Sequence, residues 1–313
     1  MIGAATAAYI VCCPNGHHVN SDSNTIFLLN EVLGLKSSRL HKVIFAVVSV
    51  LCFLYMLTLI FPFLWMLLNS FKTNMDFFQD IWNIPEKPLL SNYVNVWDQM
   101  NLLVYFLNSI KLTLLGTMAS VITASMAAYV IAKYPFRMSK LLYSMAIVVM
   151  LIPSIGTIAA LYKFMIATNL FNTHLGLILL YSGGFGFNFV LLYGFFKSIS
   201  WSYAEAGFVD GATDWQVFTR IMLPQARPGI IAIAIIQGIN VWNDYFNPYM
   251  FLQDKDKMTL AVGIYNLVQE QSYAADWPKL FAAMIISTVP VIIVYAIFSN
   301  TIIENTVAGG LKG

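Results

Sequence analysis

The sequence contains little charge for its length. Charged residues make up 10% of the 313 residues and hydrophobic residues 59%, and the mean hydropathy is +0.71. A soluble domain carries roughly 25% charged residues, so an ordinary water-soluble fold is excluded. The formal net charge of +2 is small, and no nucleic acid is expected among the partners.

Motifs of enzyme active sites are also missing. The chain has no G-x-x-x-x-G-K-[ST] phosphate loop, no H-E-x-x-H zinc motif and no G-x-S-x-G nucleophile motif. We therefore expect no catalytic residue, no metal and no cofactor in this chain. A membrane-embedded enzyme is disfavoured because no catalytic constellation is found.

Cysteines are few and offer no disulfide framework. Cys12 and Cys13 are adjacent, and Cys52 lies within an apolar run. The first two could bind a metal together with His17 and His18. A disordered cytoplasmic tail is the favoured interpretation of this region, because no second cluster of ligands exists.

Long apolar runs are what the chain does have. Each is close to the roughly 20 residues that cross about 30 Å of hydrocarbon. Continuous apolar runs without strict alternation indicate helices rather than barrel strands. The sequence therefore predicts an all-α polytopic membrane protein with six spans. The predicted spans cover 41–68, 107–132, 141–163, 175–197, 229–250 and 280–302.

Lysine and arginine are concentrated in alternate connections. They precede the first run, fill the second loop and bracket the fourth: Lys36, Arg39, Lys42, Lys133, Arg137, Lys140, Lys197, Arg220 and Arg227. Such an excess marks the cytoplasmic side of a cell membrane, so both termini are predicted to be cytoplasmic. The predicted organisation is a cytoplasmic tail over 1–40, a permease domain over 41–303 and a cytoplasmic tail over 304–313.

Ionisable residues are scarce within the predicted spans. Lys111, Lys163 and Asp244 are found there, each close to a membrane interface. Carriers driven by protons or sodium use intramembrane carboxylates or histidines as coupling sites. A secondary carrier is therefore disfavoured, and the energy for transport is expected from outside the chain. An ATP-independent channel or carrier remains the competing class.

A polar segment over 198–228, here called the coupling segment, separates the fourth and fifth spans. It reads E-A-x-x-x-x-G, then nine residues, then I-x-L-P. We predict a helix that begins near Glu205, a bend at Gly211, and a second helix that runs to Leu223 and stops at Pro224. From the residues alone, this hairpin could dock on a partner or could simply be a solvated surface.

The coupling segment resembles that of ATP-binding-cassette (ABC) importer permeases. The likeness is to the smaller permease subunit of carbohydrate importers of the maltose type, and it runs from about residue 64 to 313. Besides the coupling segment it rests on LWMLLNSFKT (64–73), NSIKLT (108–113), AAYVIAKYPF (127–136), WNDYFNP (242–248) and AGGLKG (308–313). The usual E-A-A reads E-A-G here. Gly207 is expected to fit the ATPase groove but to loosen its helix by about 1 kcal/mol.

The resemblance implies the type I ABC importer fold and a set of partners. These are a second, related permease subunit, two copies of a cytoplasmic ATPase that bind ATP and magnesium, an extracellular solute-binding protein, a sugar and membrane lipid. It implies that the ATPase is contacted by Glu205, Ala206, Gly207, Asp210, Gly211 and Ala212. It further implies that Ile221, Leu223 and Pro224 fix the end of the coupling element, and that the tail residues Lys312 and Gly313 touch the ATPase dimer.

Four residues late in the fifth span are candidates for a substrate pathway. Trp242, Asn243, Asp244 and Asn247 combine an aromatic face with amide and carboxylate groups, which suits a hydroxylated sugar. The alternative, that they hold the junction of helix and loop, is favoured. An oligosaccharide is the expected substrate, with a polyol or a glycerol phosphate as alternatives.

Overall fold

The computed structural model describes residues 39–310 apart from 86, 100 and 153. The predictions for Cys12, Cys13, His17, His18, Lys312 and Gly313 therefore lie outside the described residues. The described ranges are helical and contain no strand. The helices are α1 (Arg39–Asn69), α2 (Asn74–Gln79), α3 (Ser91–Gln99), α4 (Leu102–Lys133), α5 (Ser139–Leu151), α6 (Ile158–Ala167), α7 (His174–Tyr181), α8 (Phe187–Ser198), α9 (Ser202–Val209), α10 (Asp214–Gln225), α11 (Arg227–Asn243), α12 (Phe246–Phe251), α13 (Leu260–Ala274) and α14 (Trp277–Gly310).

Three unbroken helices in the described part are long and apolar enough to cross a membrane. They cover Lys42–Asn69, Leu102–Lys133 and Trp277–Phe298. A fourth candidate arises if α10 and α11, which meet at a bend of 77°, are taken as one span. The all-helical membrane architecture is confirmed, and the number of six spans stays a prediction.

The third and fourth predicted spans are not single helices in the structure. The third consists of α5 and α6 with a 3-10 turn between them, and the fourth consists of α7 and α8. Glycines explain the second break. Gly186 has a φ of +149°, and a Cβ built on Gly184 would lie 2.6 Å from the carbonyl oxygen of Ser120. The chain therefore leaves the helix where it packs directly on the backbone of α4.

Two other boundaries differ from the prediction. Helix α11 ends at Asn243 instead of 250, because Asp244 takes an extended conformation and a short separate helix follows. Helix α14 contains Pro290 and continues to Gly310, so it includes much of the tail predicted to begin at 304. A membrane helix accommodates such a proline because neighbouring groups satisfy the freed carbonyl.

Helix α4 lies at the centre of the fold and packs against α7, α8 and α11. Small residues on its buried face, among them Ser120, Ala124 and Ala128, are almost fully covered. Small side chains let neighbouring membrane helices approach closely. Phe189, Leu192 and Phe196 of α8 are completely buried in the same cluster.

The second loop and the coupling segment lie at one end of the helices. The Lys133 ammonium donates a hydrogen bond to the carbonyl of Ile199. The Tyr134 hydroxyl donates to Asp214 Oδ1 at 2.7 Å. We call this the basic end, since both connections belong to the lysine- and arginine-rich set.

The third and fifth loops meet at the opposite end. Asn172 Oδ1 accepts hydrogen bonds from the backbone N–H groups of Gln253 and Asp254, at 3.0 and 3.2 Å. Asn108 at the start of α4 donates to the carbonyl of Asp256 at 2.8 Å. Alternate connections are thus grouped at two ends, as the charge pattern predicts for a chain that crosses repeatedly.

Candidate functional site

The coupling segment folds as a helical hairpin of α9 and α10. Helix α9 ends at Val209, and Gly211 takes a φ of +79°, which confirms the predicted glycine bend. Thr213 caps α10: its hydroxyl accepts from the N–H of Gln216 at 3.3 Å, and the Gln216 side chain accepts from the N–H of Thr213 at 2.9 Å. This capping box fixes where the second helix begins.

Helix α10 does not stop at Pro224 as predicted, but continues to Gln225. Val217–Met222 forms a π-helical turn, and the N–H of Leu223 donates to the carbonyl of Phe218, five residues back. Proline has no N–H to donate. The wide turn ahead of Pro224 is where the helix changes its hydrogen-bond register, and such turns recur at functional sites.

Gly207 faces the second helix and is buried within this chain, and its contact with the ATPase stays a prediction. A Cβ built there would lie 2.5 Å from Ile221 Cδ1 and 3.3 Å from Val217 Cγ2. The neighbouring Ala204 is also fully buried. The glycine therefore allows α9 and α10 to pack closely, which explains the departure from the E-A-A pattern.

Aromatic contacts join the hairpin to the end of α4. The ring of Tyr134 packs edge-on against that of Trp201, with 5.6 Å between the ring centroids. The ring centroids of Tyr129 and Phe218 lie 5.0 Å apart. Burial, with its hydrogen bond to Asp214, raises the pKa of the Tyr134 hydroxyl. Tyr134 therefore stays protonated and donates its hydrogen bond throughout the physiological pH range.

The opposite side of α9 has no cover. Val209 is 87% exposed and Tyr203 53% exposed, and Glu205, Ala206 and Asp210 are exposed beside them. We call these five residues the coupling face. They lie in the polar connection between the end of α8 at Ser198 and the start of α11 at Arg227. An apolar patch flanked by carboxylates in such a position is typical of a protein-docking surface.

The remaining predicted coupling residues lie around this hairpin. Three of them are half-buried and pack against the core cluster that contains Phe189 and Phe196: Ala212, Ile221 and Leu223. The other two, Gly211 and Pro224, are exposed. Trp215 at the start of α10 is 60% exposed and was not predicted. An exposed tryptophan in a polar segment was the signal available in the sequence.

Two of the four pathway candidates form a hydrogen-bonded junction. Asp244 accepts from the Tyr181 hydroxyl at 2.8 Å and from Asn247 Nδ2 and backbone N–H at 2.7 and 3.1 Å. We call this group the Asp244 junction. It ties the break in the fourth span to the end of α11. These contacts favour the junction alternative for Asp244 and Asn247.

The other two candidates, Trp242 and Asn243, line a cleft of about 250 Å³ between the end of α11, α13 and α14. Tyr245 and Tyr265 form its aromatic wall, with ring centroids 5.0 Å apart and planes 20° from parallel. We call it the aromatic cleft. The structure thus separates the four candidates into a structural pair and a cleft-lining pair.

A row of amides along α11 was missed by the sequence analysis. Gln237, Asn240 and Asn243 recur every third residue, and the last two are exposed. We call them the polar stripe. Gln237 also accepts a hydrogen bond from Asn188 at 3.1 Å. Exposed amides are costly against lipid, so this face is expected to line water or another protein. The three-residue spacing within an apolar run was the available signal.

No cluster of histidine, cysteine or acidic side chains suited to a metal ion occurs among the residues that the structure describes. The buried hydroxyls of Thr113, Thr117 and Ser125 instead have no hydrogen-bond partner there. Buried hydroxyls without a protein partner are usual where water or a second arrangement of the helices satisfies them.

Sequence relatives extend over most of the chain. It is 34% identical over 270 residues to the diacetylchitobiose uptake system permease protein NgcG of Streptomyces coelicolor, covering 86% of this chain and 89% of the relative. It is 30% identical to the trehalose transport system permease protein SugB of Mycobacterium tuberculosis, covering 80% and 92%. It is also 30% identical to the sulfoquinovosyl glycerol transport system permease protein SmoH of Agrobacterium fabrum, covering 81% and 89%.

The fold matches that of a solved importer. A chain of a bacterial ABC transporter involved in the import of the acidic polysaccharide alginate superposes with a TM-score of 0.74 at 23% identity, covering 85% of this chain and 99% of that one. The type I importer architecture is thereby confirmed. The family described as binding-protein-dependent transport system inner membrane component matches residues 116–306. Together with the permease relatives, this match shows that the chain belongs to that family of membrane transport subunits.

Proposed function

We propose that this chain is a permease subunit of an ATP-driven sugar importer, and that its coupling face docks on a cytoplasmic ATPase. The coupling face carries the proposal. Val209 is 87% exposed on a helix whose other side is fully packed. Apolar exposure on a rigid element outside the membrane is best explained by a protein partner.

The buried side of the hairpin is packed in a way that suits the transmission of movement to the membrane helices. Gly207 packs tightly on α10, and Ala204 is buried in the same core cluster as Val217 and Met222. The hairpin is joined to α4 by the hydrogen bond between Tyr134 and Asp214. Because close-packed helices move as units, displacement of the coupling face would shift the ends of α4 and α11 together. The alternation between inward-open and outward-open states follows from such a shift.

The full assembly contains more than this chain. A second, related permease would complete the pathway, two ATPase copies would bind ATP and magnesium, and an extracellular solute-binding protein would deliver the substrate. Glu205 would meet a basic side chain in the ATPase groove, and Lys312 and Gly313 would touch the ATPase dimer. The chain itself contributes no hydrolytic chemistry.

The proposed substrate is an oligosaccharide. Relatives at 30% identity or more are named for diacetylchitobiose and trehalose, and the polar stripe supplies amides that suit hydroxyl groups. A polyol or a glycerol phosphate is the second candidate, favoured by the relative named for sulfoquinovosyl glycerol.

The proposed orientation in the membrane follows from the distribution of lysine and arginine among the loops. The basic end would face the cytoplasm, with six crossings and both termini on that side. The opposite end, where Asn172 binds the backbone after α12, would face the solute-binding protein.

Glu205→Lys tests the docking proposal. It reverses the charge of an exposed residue, so the membrane protein should fold normally while the ATPase no longer co-purifies and uptake falls at least about a hundredfold. Asp98→Lys makes the same charge change on an exposed helical residue far from the coupling segment. It should retain the ATPase.

Two results would contradict the proposal. One is normal uptake and ATPase recovery in Glu205→Lys. The other is undiminished transport in membrane vesicles depleted of ATP, which would favour the channel or carrier alternative.

A further inference from the structure

We propose that the aromatic cleft binds one neutral pyranose unit of the transported saccharide, so that this subunit contacts the substrate directly. The inference rests on the proposed function. The cleft lies at the end of α11 farthest from the coupling segment, between that helix, α13 and α14. Its chemistry, rigidity and position each support a sugar as the occupant.

The walls of the cleft are already fixed. Trp242 Nε1 donates to the carbonyl of Ser287 at 3.2 Å, and its ring packs edge-on against Phe106 at 5.6 Å. Tyr265 lies between Tyr245 and Tyr249, with centroid distances of 5.0 and 4.9 Å. Aromatic rings held in this way need little ordering when a ligand binds, which preserves binding free energy.

Hydrogen-bonding groups remain free beside these rings. Asn243 Nδ2 donates to the carbonyl of Ile239 at 3.0 Å, and an amide has a second N–H and a carbonyl oxygen to offer. Tyr245 is 44% exposed, and its hydroxyl has no hydrogen-bond partner among the described residues. The cleft therefore combines ring faces with unused donors and acceptors.

A pyranose ring matches this combination. Its axial C–H groups form an apolar face that packs on an aromatic ring, and its hydroxyls form hydrogen bonds at the rim. A lipid chain would use the apolar floor formed by Leu260 and Ile264 but would leave the Asn243 amide unsatisfied.

The charge of the surroundings selects a neutral sugar. Among the described residues that line the cleft, only the two tyrosines are ionisable, so none of these side chains would balance a carboxylate or a phosphate. Asp244 follows Asn243 directly in the chain, and its carboxylate would repel an anion. We therefore infer a neutral pyranose, in contrast to the acidic polysaccharide of the solved importer.

The position suits hand-over from a binding protein. The cleft lies at the end of the polar stripe, and Asn243 belongs to both. A sugar that enters at the opposite end would meet the aromatic cleft first and the amides of Asn240 and Gln237 next. The stripe then leads along α11 toward the basic end.

The test uses the complete importer, reconstituted with its ATPase and binding protein. Diacetylchitobiose, trehalose and maltotriose are offered, and the one that the unaltered complex imports fastest becomes the probe. Tyr245→Leu and Asn243→Leu should each lower the import rate about five- to tenfold, as expected for the loss of a stacking or amide contact. ATP hydrolysis stimulated by the loaded binding protein should stay within about twofold, so more ATP is consumed per sugar.

Matched variants separate a binding role from a structural one. Tyr245→Phe keeps the ring and should retain most of the import rate. Tyr295→Leu removes an exposed tyrosine of α14 that does not line the cleft, and it should leave import unchanged.

The possible results distinguish a sugar-binding cleft from a cleft with only a structural role. Unaltered import in both cleft variants would overturn the subsite and point to lipid or the second permease as the occupant. A parallel fall in ATP hydrolysis and import would also overturn it, since that pattern indicates a damaged assembly. Failure of the unaltered complex to import any of the three sugars would instead count against the proposed sugar function.

Discussion

The two ends of α11 carry surfaces that are built in different ways. At the basic end, the coupling hairpin has an apolar and aromatic back and presents an exposed apolar face around Val209. At the opposite end, the Asp244 junction and the aromatic cleft combine hydrogen bonds with aromatic rings. The difference matches the proposed partners: a protein groove is filled by shape and apolar contact, whereas a sugar needs polar groups held in place.

Helix α11 connects these surfaces directly. It begins at Arg227, immediately after the hairpin, and ends at Asn243 in the cleft. No loop separates the two surfaces. Because they are formed by different residues, we expect that each can be damaged separately.

The two glycines of α11 give the largest expected difference between its ends. A Cβ built on Gly229 would lie 2.4 Å from the Phe195 ring, whereas one on Gly238 would lie no closer than 3.7 Å to Thr117. Gly229→Ala should lower the free energy of unfolding by about 3 kcal/mol through overpacking. Gly238→Ala should raise it by up to about 1 kcal/mol through helix propensity. Thermal unfolding of the detergent-solubilised importer measures both.

These glycine variants are each other's control, because the substitution and the helix are the same. Equal stabilities would mean that the basic end is no more tightly packed than the rest of α11. That result would contradict the inference that α11 is packed more tightly at the basic end than at the opposite end.

Removal of the Asp244 carboxylate should damage the opposite end alone. Asp244→Ala leaves the Tyr181 hydroxyl and the Asn247 amide without their acceptor, at an expected cost of about 2 kcal/mol in the free energy of unfolding. Asp244→Asn keeps one acceptor oxygen and should recover about half of that. The ATPase should still co-purify with both variants, because the coupling face is untouched. Loss of the ATPase together with stability would show that the ends do not act separately.

Much of this architecture follows from patterns that depend on one helix at a time. Apolar runs predicted the long helices α1, α4 and α14, and the glycine in E-A-x-x-x-x-G predicted the bend at Gly211. Such features arise locally, from span length and from the torsions that only glycine adopts cheaply.

Features that depend on two helices were not predictable. The inward direction of Gly207 is set by Ile221 on the next helix. The break in the fourth span depends on tertiary packing, since Gly184 lies against the backbone of α4. The division of Trp242, Asn243, Asp244 and Asn247 into two roles depends on Tyr181 and Tyr265, which are distant in sequence.

The smallest expected effect concerns how the basic end is joined to α4. Tyr134 donates to Asp214 at 2.7 Å, and this bond links the end of the second span to the start of α10. Tyr134→Phe and Asp214→Ala should each lower the free energy of unfolding by about 1 kcal/mol, because the first removes the donor and the second the acceptor. The double variant should cost less than the sum of the two, because the same bond is lost in each.

The double-mutant cycle is measured by thermal unfolding and by import together. If the bond transmits movement from the hairpin, either variant should lower import at constant ATP hydrolysis, since the coupling face proposed to bind the ATPase is unchanged. Strict additivity in stability would mean that the two side chains do not interact across the hairpin. If the effects on the free energy of unfolding are non-additive but the import rate is unaltered, the hydrogen bond only holds the hairpin in place. Movement would then have to pass through the aromatic contact of Tyr129 with Phe218.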